Sequence, residues 1–315
     1  MSVPVLALAG FLGAGKTTLL NHLLRNSRGV RIGALVNDFG AVNIDAMFVA
    51  GQVDAMASLS NGCICCAVDA SEAAEMLGRL AAVRPALDLI VVEASGIAEP
   101  PVLARTIASA GDDRFHYAGL VLVVDTAQPA ELGHGVRVAD LVVLNKASDG
   151  DADAVAAAVR AENPRVPMVY TDFARVDPAL LIDPPVQRGE RPAQLSLDEL
   201  LVDDDHHHEH PEYQSVEFSA EEPVNPRRFL AFLHDRPAGL YRAKGFVDFG
   251  AGGRYSVQLV GSSLRFEKRG ASGRGTTLVL IGTGIDVDAA SSALRDCTRE
   301  PADENAMLGV HKYVV

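Results

Sequence analysis

Gly10-Phe11-Leu12-Gly13-Ala14-Gly15-Lys16-Thr17 fits the pattern G-x-x-x-x-G-K-[ST]. It lies between an apolar run, Val3–Ala9, and a helical pattern, Thr17–Arg25. A glycine-rich turn in that setting lets backbone N–H groups face inward around phosphate oxygens. The helix that follows adds the positive end of its dipole. Gly10, Gly13, Ala14, Gly15, Lys16, Thr17 and Thr18 are therefore candidate nucleotide-binding residues. Lys16 would reach the β- and γ-phosphates, and the Thr17 hydroxyl would hold Mg²⁺. Two acids follow at the ends of apolar runs. Asp38, in VNDFG, could face the metal or the attacking water. Glu93 ends DLIVVE and is followed by Gly96, which suits support of Mg²⁺ plus a backbone N–H near the γ-phosphate. Lys16, Asp38 and Glu93 form the candidate catalytic set.

Asn145-Lys146 ends another apolar run, as in the guanine-reading pattern N-K-x-D, whose carboxylate accepts hydrogen bonds from the guanine ring. Here the fourth position is Ser148, and Asp149 comes one residue later. Serine supplies no paired acceptor, so guanine preference needs Asp149 or another group.

Gly62-Cys63-Ile64-Cys65-Cys66 brings three soft ligands together. Thiolates bind Zn²⁺ tightly and also accept Co²⁺. In a regular strand Cys66 would point away from Cys63 and Cys65, so convergence needs a bend, which Asn61-Gly62 permits. Three thiolates leave one tetrahedral position open to water, Asp38 or a partner, and an open position suits transfer. A second metal-capture candidate is the tract Asp203–His210, with His206, His207, His208 and His210. Cys297, alone in a helical pattern, reads as core.

These residues need a frame. Short apolar runs at Val3–Ala9, Ile32–Phe39, Asp88–Glu93, Ala118–Asp125, Asp140–Asn145 and Val166–Thr171 alternate with helical patterns. Continuous apolar strands separated by helices predict an α/β fold, with a mostly parallel sheet covered by helices on both faces. The grammar changes after about residue 182. Residues 183–211 read as a linker with the acidic, His-rich tract. Residues 212–315 read as a smaller α+β domain in the order β-α-β-β-β-α.

Composition narrows the classes further. Lys plus Arg is 28 against 41 Asp plus Glu, a formal net charge of −13 over 315 residues. Such a chain is a poor general binder of nucleic acid or anionic membranes. No apolar run reaches the ~18 residues of a membrane span. Three of the four cysteines fall in one tetrapeptide, which is no disulfide framework and points to a reducing, cytoplasmic setting.

GFLGAGKTT, VNDFG…NID, SNGCICC and EASGIAEP, in this order, resemble the CobW-type P-loop GTPases, a group that includes cobalamin-biosynthesis proteins, nitrile hydratase activators and zinc chaperones. YRAKGFVDF and LVLIGTGID resemble that family's second domain. The resemblance implies GTP hydrolysis coupled to delivery of a transition metal, Zn²⁺ or Co²⁺, to a client protein. It also implies that Cys63, Cys65 and Cys66 carry the metal. Two positions depart from the family: Asp38 stands where Glu is usual, and Ser148 replaces the usual Asp. The expected protein is a monomer or homodimer. Competing readings are a non-hydrolytic metal buffer and a P-loop small-molecule kinase.

Overall fold

The computed structural model describes residues 2–27, 29–36, 55–58, 70–96, 99–129, 132–182, 214–269, 275–299 and 306–314. The first half builds strands β1 (Val3–Ala9), β2 (Ile32–Val36), β3 (Ala55–Ser58), β4 (Leu89–Glu93), β5 (Phe115–Asp125), β6 (Leu141–Asn145) and β7 (Met168–Thr171). They form one sheet in the order β3-β2-β4-β1-β5-β6-β7, and every pairing is parallel. All five residues of β2, β4 and β6 are buried, as expected of strands covered on both faces.

Alternate strand residues feed two cores. On one face they meet α2 (Ala70–Ala81), α3 (Pro100–Ala108), α4 (Gly133–Val138) and α5 (Ala152–Glu162) through Leu77, Leu103, Val136 and Val159. On the other face they meet α1 (Lys16–Asn26) through Leu19, Leu20 and Leu23, together with the stretch 174–182, which includes α6 (Pro178–Leu181). The strand ends set the site. In an open parallel sheet ligands gather beyond the carboxyl ends of the strands, where the connecting loops are free to differ.

The second half forms a five-stranded antiparallel sheet. Its strands are β8 (Gln214–Ala220), β9 (Leu240–Asp248), β10 (Arg254–Val260), β11 (Ser263–Arg269) and β12 (Thr276–Gly282), in the order β11-β10-β9-β12-β8. Helices α7 (Pro226–His234), α8 (Val287–Asp296) and α9 (Leu308–His311) pack on it through Phe229, Leu233, Leu294 and Val310. Cys297 lies in this core. The expected order β-α-β-β-β-α therefore gains a strand. β11 pairs along its length with β10, meets the chain's end only through a bridge from Phe266 to Val314 among the described residues, and carries Arg265, Glu267, Lys268 and Arg269, so its apolar signal is reduced to Leu264 and Phe266. β9 also starts earlier than its alternation suggests, because Leu240 to Ala243 are all buried, the charged Arg242 included. Tyr241 belongs to the first sheet's core, not to its own domain's.

The two domains meet at the amino-terminal ends of β1, β5 and β6. The Asp140 carboxylate, 4% exposed, accepts from Leu120 N (2.8 Å), Ser262 N (2.7 Å) and Tyr117 Oη (3.1 Å). His116 Nδ1 lies 2.9 Å from Ser2 Oγ, which in turn accepts from Arg265 at 3.0 Å.

Candidate nucleotide site

The loop after β1 turns through three glycines of positive φ: Gly10 (+146°), Gly13 (+77°) and Gly15 (+109°). Two of them also need their missing side chain. A Cβ on Gly10 would sit 2.3 Å from Val123 O, and one on Gly15 would sit 2.4 Å from Asn145 Nδ2. A Cβ on Gly13 would meet nothing within 4 Å, so the loop keeps open space at its tip. The cap residue of α1 is Gly15, which has no side chain to bond the first turn, and a helix start of this kind favours an anion. Lys16 is buried and lays its ammonium back over the loop, donating to Gly10 O at 3.0 Å and Phe11 O at 3.1 Å. Thr18 is exposed.

Strand β4 brings the acid. Glu93, 1% exposed, lies beside Leu8 in the ladder and accepts from Thr17 Oγ1 at 2.5 Å. A hydroxyl and a carboxylate in contact are hard oxygen ligands, the donor set Mg²⁺ prefers. The chain after β4 then crosses close over the phosphate loop, since a Cβ on Gly96 would fall 2.7 Å from Leu12 N and Cα.

Strand β6 closes the other side. Asn145, 2% exposed, donates from Nδ2 to Ala14 O at 2.8 Å and accepts at Oδ1 from Ala174 N at 2.8 Å. One buried amide thus ties the phosphate loop to the loops after β6 and β7. Lys146 pairs with Asp125 at 2.5 Å, and Asp125 also accepts from Ala127 N and Gln128 N. Those partners hold the Asp125 carboxyl below the usual range against the opposing effect of burial. Thr126 donates to Lys146 O at 2.7 Å. Ser148 donates to Asp172 from both its N–H (3.1 Å) and its hydroxyl (2.5 Å). Asp149 is exposed, with its backbone N–H turned to Lys146 O at 3.0 Å.

The structure therefore gathers Gly10, Gly13, Ala14, Gly15, Lys16, Thr17, Glu93, Gly96, Asn145 and Lys146 along one edge of the sheet. Asp38, Cys63, Cys65, Cys66, His206, His207, His208 and His210 lie outside the described residues. Among the described residues no cluster of His, Cys, Asp and Glu forms a metal site. Asp125, Thr126 and Asp172 were not singled out by the sequence. Asp125 carries the same signal as Glu93, an acid ending a buried run, whereas Asp172 is joined to Ser148 only by folding.

A phosphate loop after β1, a hydroxyl–carboxylate pair at its helix and a base-motif asparagine bonded to its backbone define a P-loop nucleotide-binding protein. The chain belongs to the CobW/HypB/UreG family. Residues 4–169 match the family described as CobW/HypB/UreG, nucleotide-binding domain, and residues 213–298 match the cobalamin synthesis protein cobW C-terminal domain. The chain is 30% identical to the zinc chaperone CobW of Sinorhizobium sp, over 92% of this chain and 95% of the relative. It is 31% identical to the zinc chaperone CobW of Pseudomonas aeruginosa, over 93% and 91%. It is also similar to the crystal structure of Zn(II)-bound YjiA GTPase from E. coli, at 21% identity and a TM-score of 0.43, covering 94% of this chain and 99% of that one. No helix among the described residues is long and apolar enough to cross a membrane.

Proposed function

We propose that this protein hydrolyses GTP and uses the hydrolysis to govern binding of Zn²⁺ by Cys63, Cys65 and Cys66 and its delivery to a client protein. The two CobW relatives are named zinc chaperones, which supports zinc as the cargo; the same thiolates also accept Co²⁺. In the reaction, water attacks the γ-phosphorus, the bond to the bridging oxygen breaks, and GDP and inorganic phosphate leave. Lys16 and the loop amides hold the phosphates, and Asp38 orients the water. Thr17 and Glu93 would hold Mg²⁺, which offsets the phosphate charge when bound.

The observation that carries the coupling is the register at the sheet edge. Val36, the last residue of β2, lies beside Glu93 of β4 and beside Ser58 of β3. Adjacent strands are ~4.8 Å apart, so the chain leaves Ser58 about 10 Å from the Glu93 strand end. Asp38 is two residues beyond Val36, and Cys63 is five beyond Ser58. Five residues span at most ~18 Å. The chain toward Asp38 thus leaves beside the acid that touches Thr17, and the chain toward the thiolates leaves one strand further out, which supports the coupling. A tenfold change in zinc affinity between nucleotide states requires only about 1.4 kcal/mol of coupling, and linkage makes it reciprocal.

The test is a titration of a non-hydrolysable GTP analogue with and without Zn²⁺, with Cys65→Ser as the control. Zinc should tighten the analogue at least severalfold in the wild-type chain and not in the variant. Equal affinities with and without zinc would refute the coupling. Phosphate appearing on an acceptor other than water would point to a kinase instead.

A further inference from the structure

The base motif has lost its acid at Ser148, yet negative charge returns to the same place by another route. Asp172, the first residue after β7, brings Oδ1 within 3.1 Å of Ser148 N and Oδ2 within 2.5 Å of Ser148 Oγ. Both donors of residue 148 are thus spent on holding this carboxylate. The Ser148 hydroxyl and amide keep the Asp172 carboxyl below the usual carboxylate range, so it is ionised and accepts only. An ionised carboxylate has about four lone-pair positions. Ser148 takes one on each oxygen and the Ala147 amide also faces the carboxylate, so each oxygen keeps at most one position for a ligand.

The surroundings show that this corner is built. The non-glycine residues with positive φ among the described residues are Lys146 (+59°), Phe173 (+55°) and Ala174 (+53°), and all flank this pair. Each such conformation is strained and persists where neighbours enforce it. Here the enforcing bonds are Ala174 N to Asn145 Oδ1 and Ala147 N to Thr171 O. The direction of the ligand follows as well. Triphosphate sits in the loop after β1, Asn145 bonds that loop's Ala14 O, and strand order then runs β5, β6, β7. The base must therefore lie over the ends of β6 and β7, where Asp172 stands. Asp149 is exposed, and its carboxylate has no partner among the described residues to fix it.

We propose that the Asp172 carboxylate, presented by Ser148, accepts the N1–H and 2-amino hydrogens of guanine in place of the base motif's missing acid. The proposal rests on the reading above that the nucleotide is GTP. Its chemistry is specific: adenine has no hydrogen on N1 and no 2-amino group, so this acceptor pair would reject ATP.

The experiment uses the full chain and measures Kd for the Mg²⁺ complexes of GTP, ATP and xanthosine triphosphate with the wild type, Asp172→Asn, Asp149→Asn and Ser148→Ala. Asparagine at 172 keeps one acceptor for N1–H and offers an amide donor to the C2 oxygen of xanthine. Asp172→Asn should weaken GTP by about tenfold to a hundredfold, the scale of bonds to a charged acceptor, and should tighten xanthosine triphosphate. That gain cannot arise from misfolding. Ser148→Ala should weaken GTP less. A GTP to xanthosine triphosphate ratio unchanged in Asp172→Asn overturns the proposal, and a ratio that shifts in Asp149→Asn instead assigns the acceptor there. Equal wild-type affinity for ATP and GTP overturns the GTP reading itself, and the proposal with it.

Discussion

His116 makes the domain interface sensitive to acid, and the size of the effect follows from its surroundings. It begins β5 opposite Pro4, at the end of the sheet away from the phosphate loop, so it is not a nucleotide group. Burial, and secondarily the Arg265 guanidinium, bring its pKa from 6.5 down to about 3. A group whose folded pKa is depressed binds fewer protons in the native state than in the unfolded one. Its contribution is complete above pH 6.5 and is lost as pH falls toward 3. At pH 5 the unfolded histidine is mostly protonated and the folded one is neutral. The 1.5 pH units below 6.5, at about 1.4 kcal/mol each, come to about 2 kcal/mol. That is a large share of a typical stability of ~5–15 kcal/mol.

The perturbation is His116→Gln, which cannot charge. The chain has no tryptophan, so urea unfolding is followed by circular dichroism, at pH 7 and pH 5, without nucleotide or metal. The variant loses the ring's contact with Ser2 at both pH values, so that cost cancels in the double difference. The opposite trend from Asp140, whose carboxyl burial pushes up, is common to both proteins and cancels too. The wild type should lose about 2 kcal/mol more than the variant between pH 7 and pH 5. A double difference below about 0.5 kcal/mol, or of the other sign, would refute the reasoning.

Three further outcomes are expected. Glu93→Gln removes the charge that meets the Thr17 hydroxyl and should cost about 10–100-fold in Mg²⁺ affinity or turnover, read from GTP hydrolysis against Mg²⁺ concentration. Asn145→Ala leaves Ala14 O and Ala174 N–H without their buried partners; it should lower stability by ~2–4 kcal/mol and weaken nucleotide binding, read by thermal unfolding and titration. Asp140→Ala orphans Leu120 N and Ser262 N and should cost about 3 kcal/mol in urea. Because the Asp140 pKa is raised, that difference should shrink as pH rises above the unfolded value of 3.8.

The features legible in the sequence are those written locally. The phosphate loop is one contiguous motif, and Glu93 is marked by the buried run it ends, so their meeting at Thr17 followed from the parallel sheet. The features that were not legible are joined across the chain. Ser148 finds Asp172 24 residues away, and Tyr241 leaves its own domain for the first sheet's core. Neither contact leaves a periodic mark. β11 was hidden for a different reason: an edge strand facing water keeps its charges, so Ser263–Arg269 lacks the apolar run that betrays β6.

Strands β5 and β6 join two tasks that the fold keeps at opposite ends. At their starts, Tyr117, Leu120 and Asp140 hold the second domain through Ser262. At their finish, Asp125, Asn145 and Lys146 brace the base corner and the phosphate loop. Both strands run through the middle of the first sheet's two cores, where Leu120, Val123, Leu141 and Val143 are almost wholly buried. A close-packed layer of this kind does not deform by degrees. Loss of a γ-phosphate should therefore find little to push on along β5 and β6, and the docked domain is expected to hold its place. The exit open to change is the other side of the phosphate loop, where β2 ends beside Glu93, β3 ends one strand further out, and the chain between β2 and β3 carries Asp38. A client that senses the nucleotide would then read the thiolate segment directly, not a rotation of the second domain. Cross-linking the domains by an engineered disulfide between the 116–120 stretch and β11 should leave the zinc–GTP coupling intact. Loss of coupling on cross-linking, restored by reduction, would show that the domains must move.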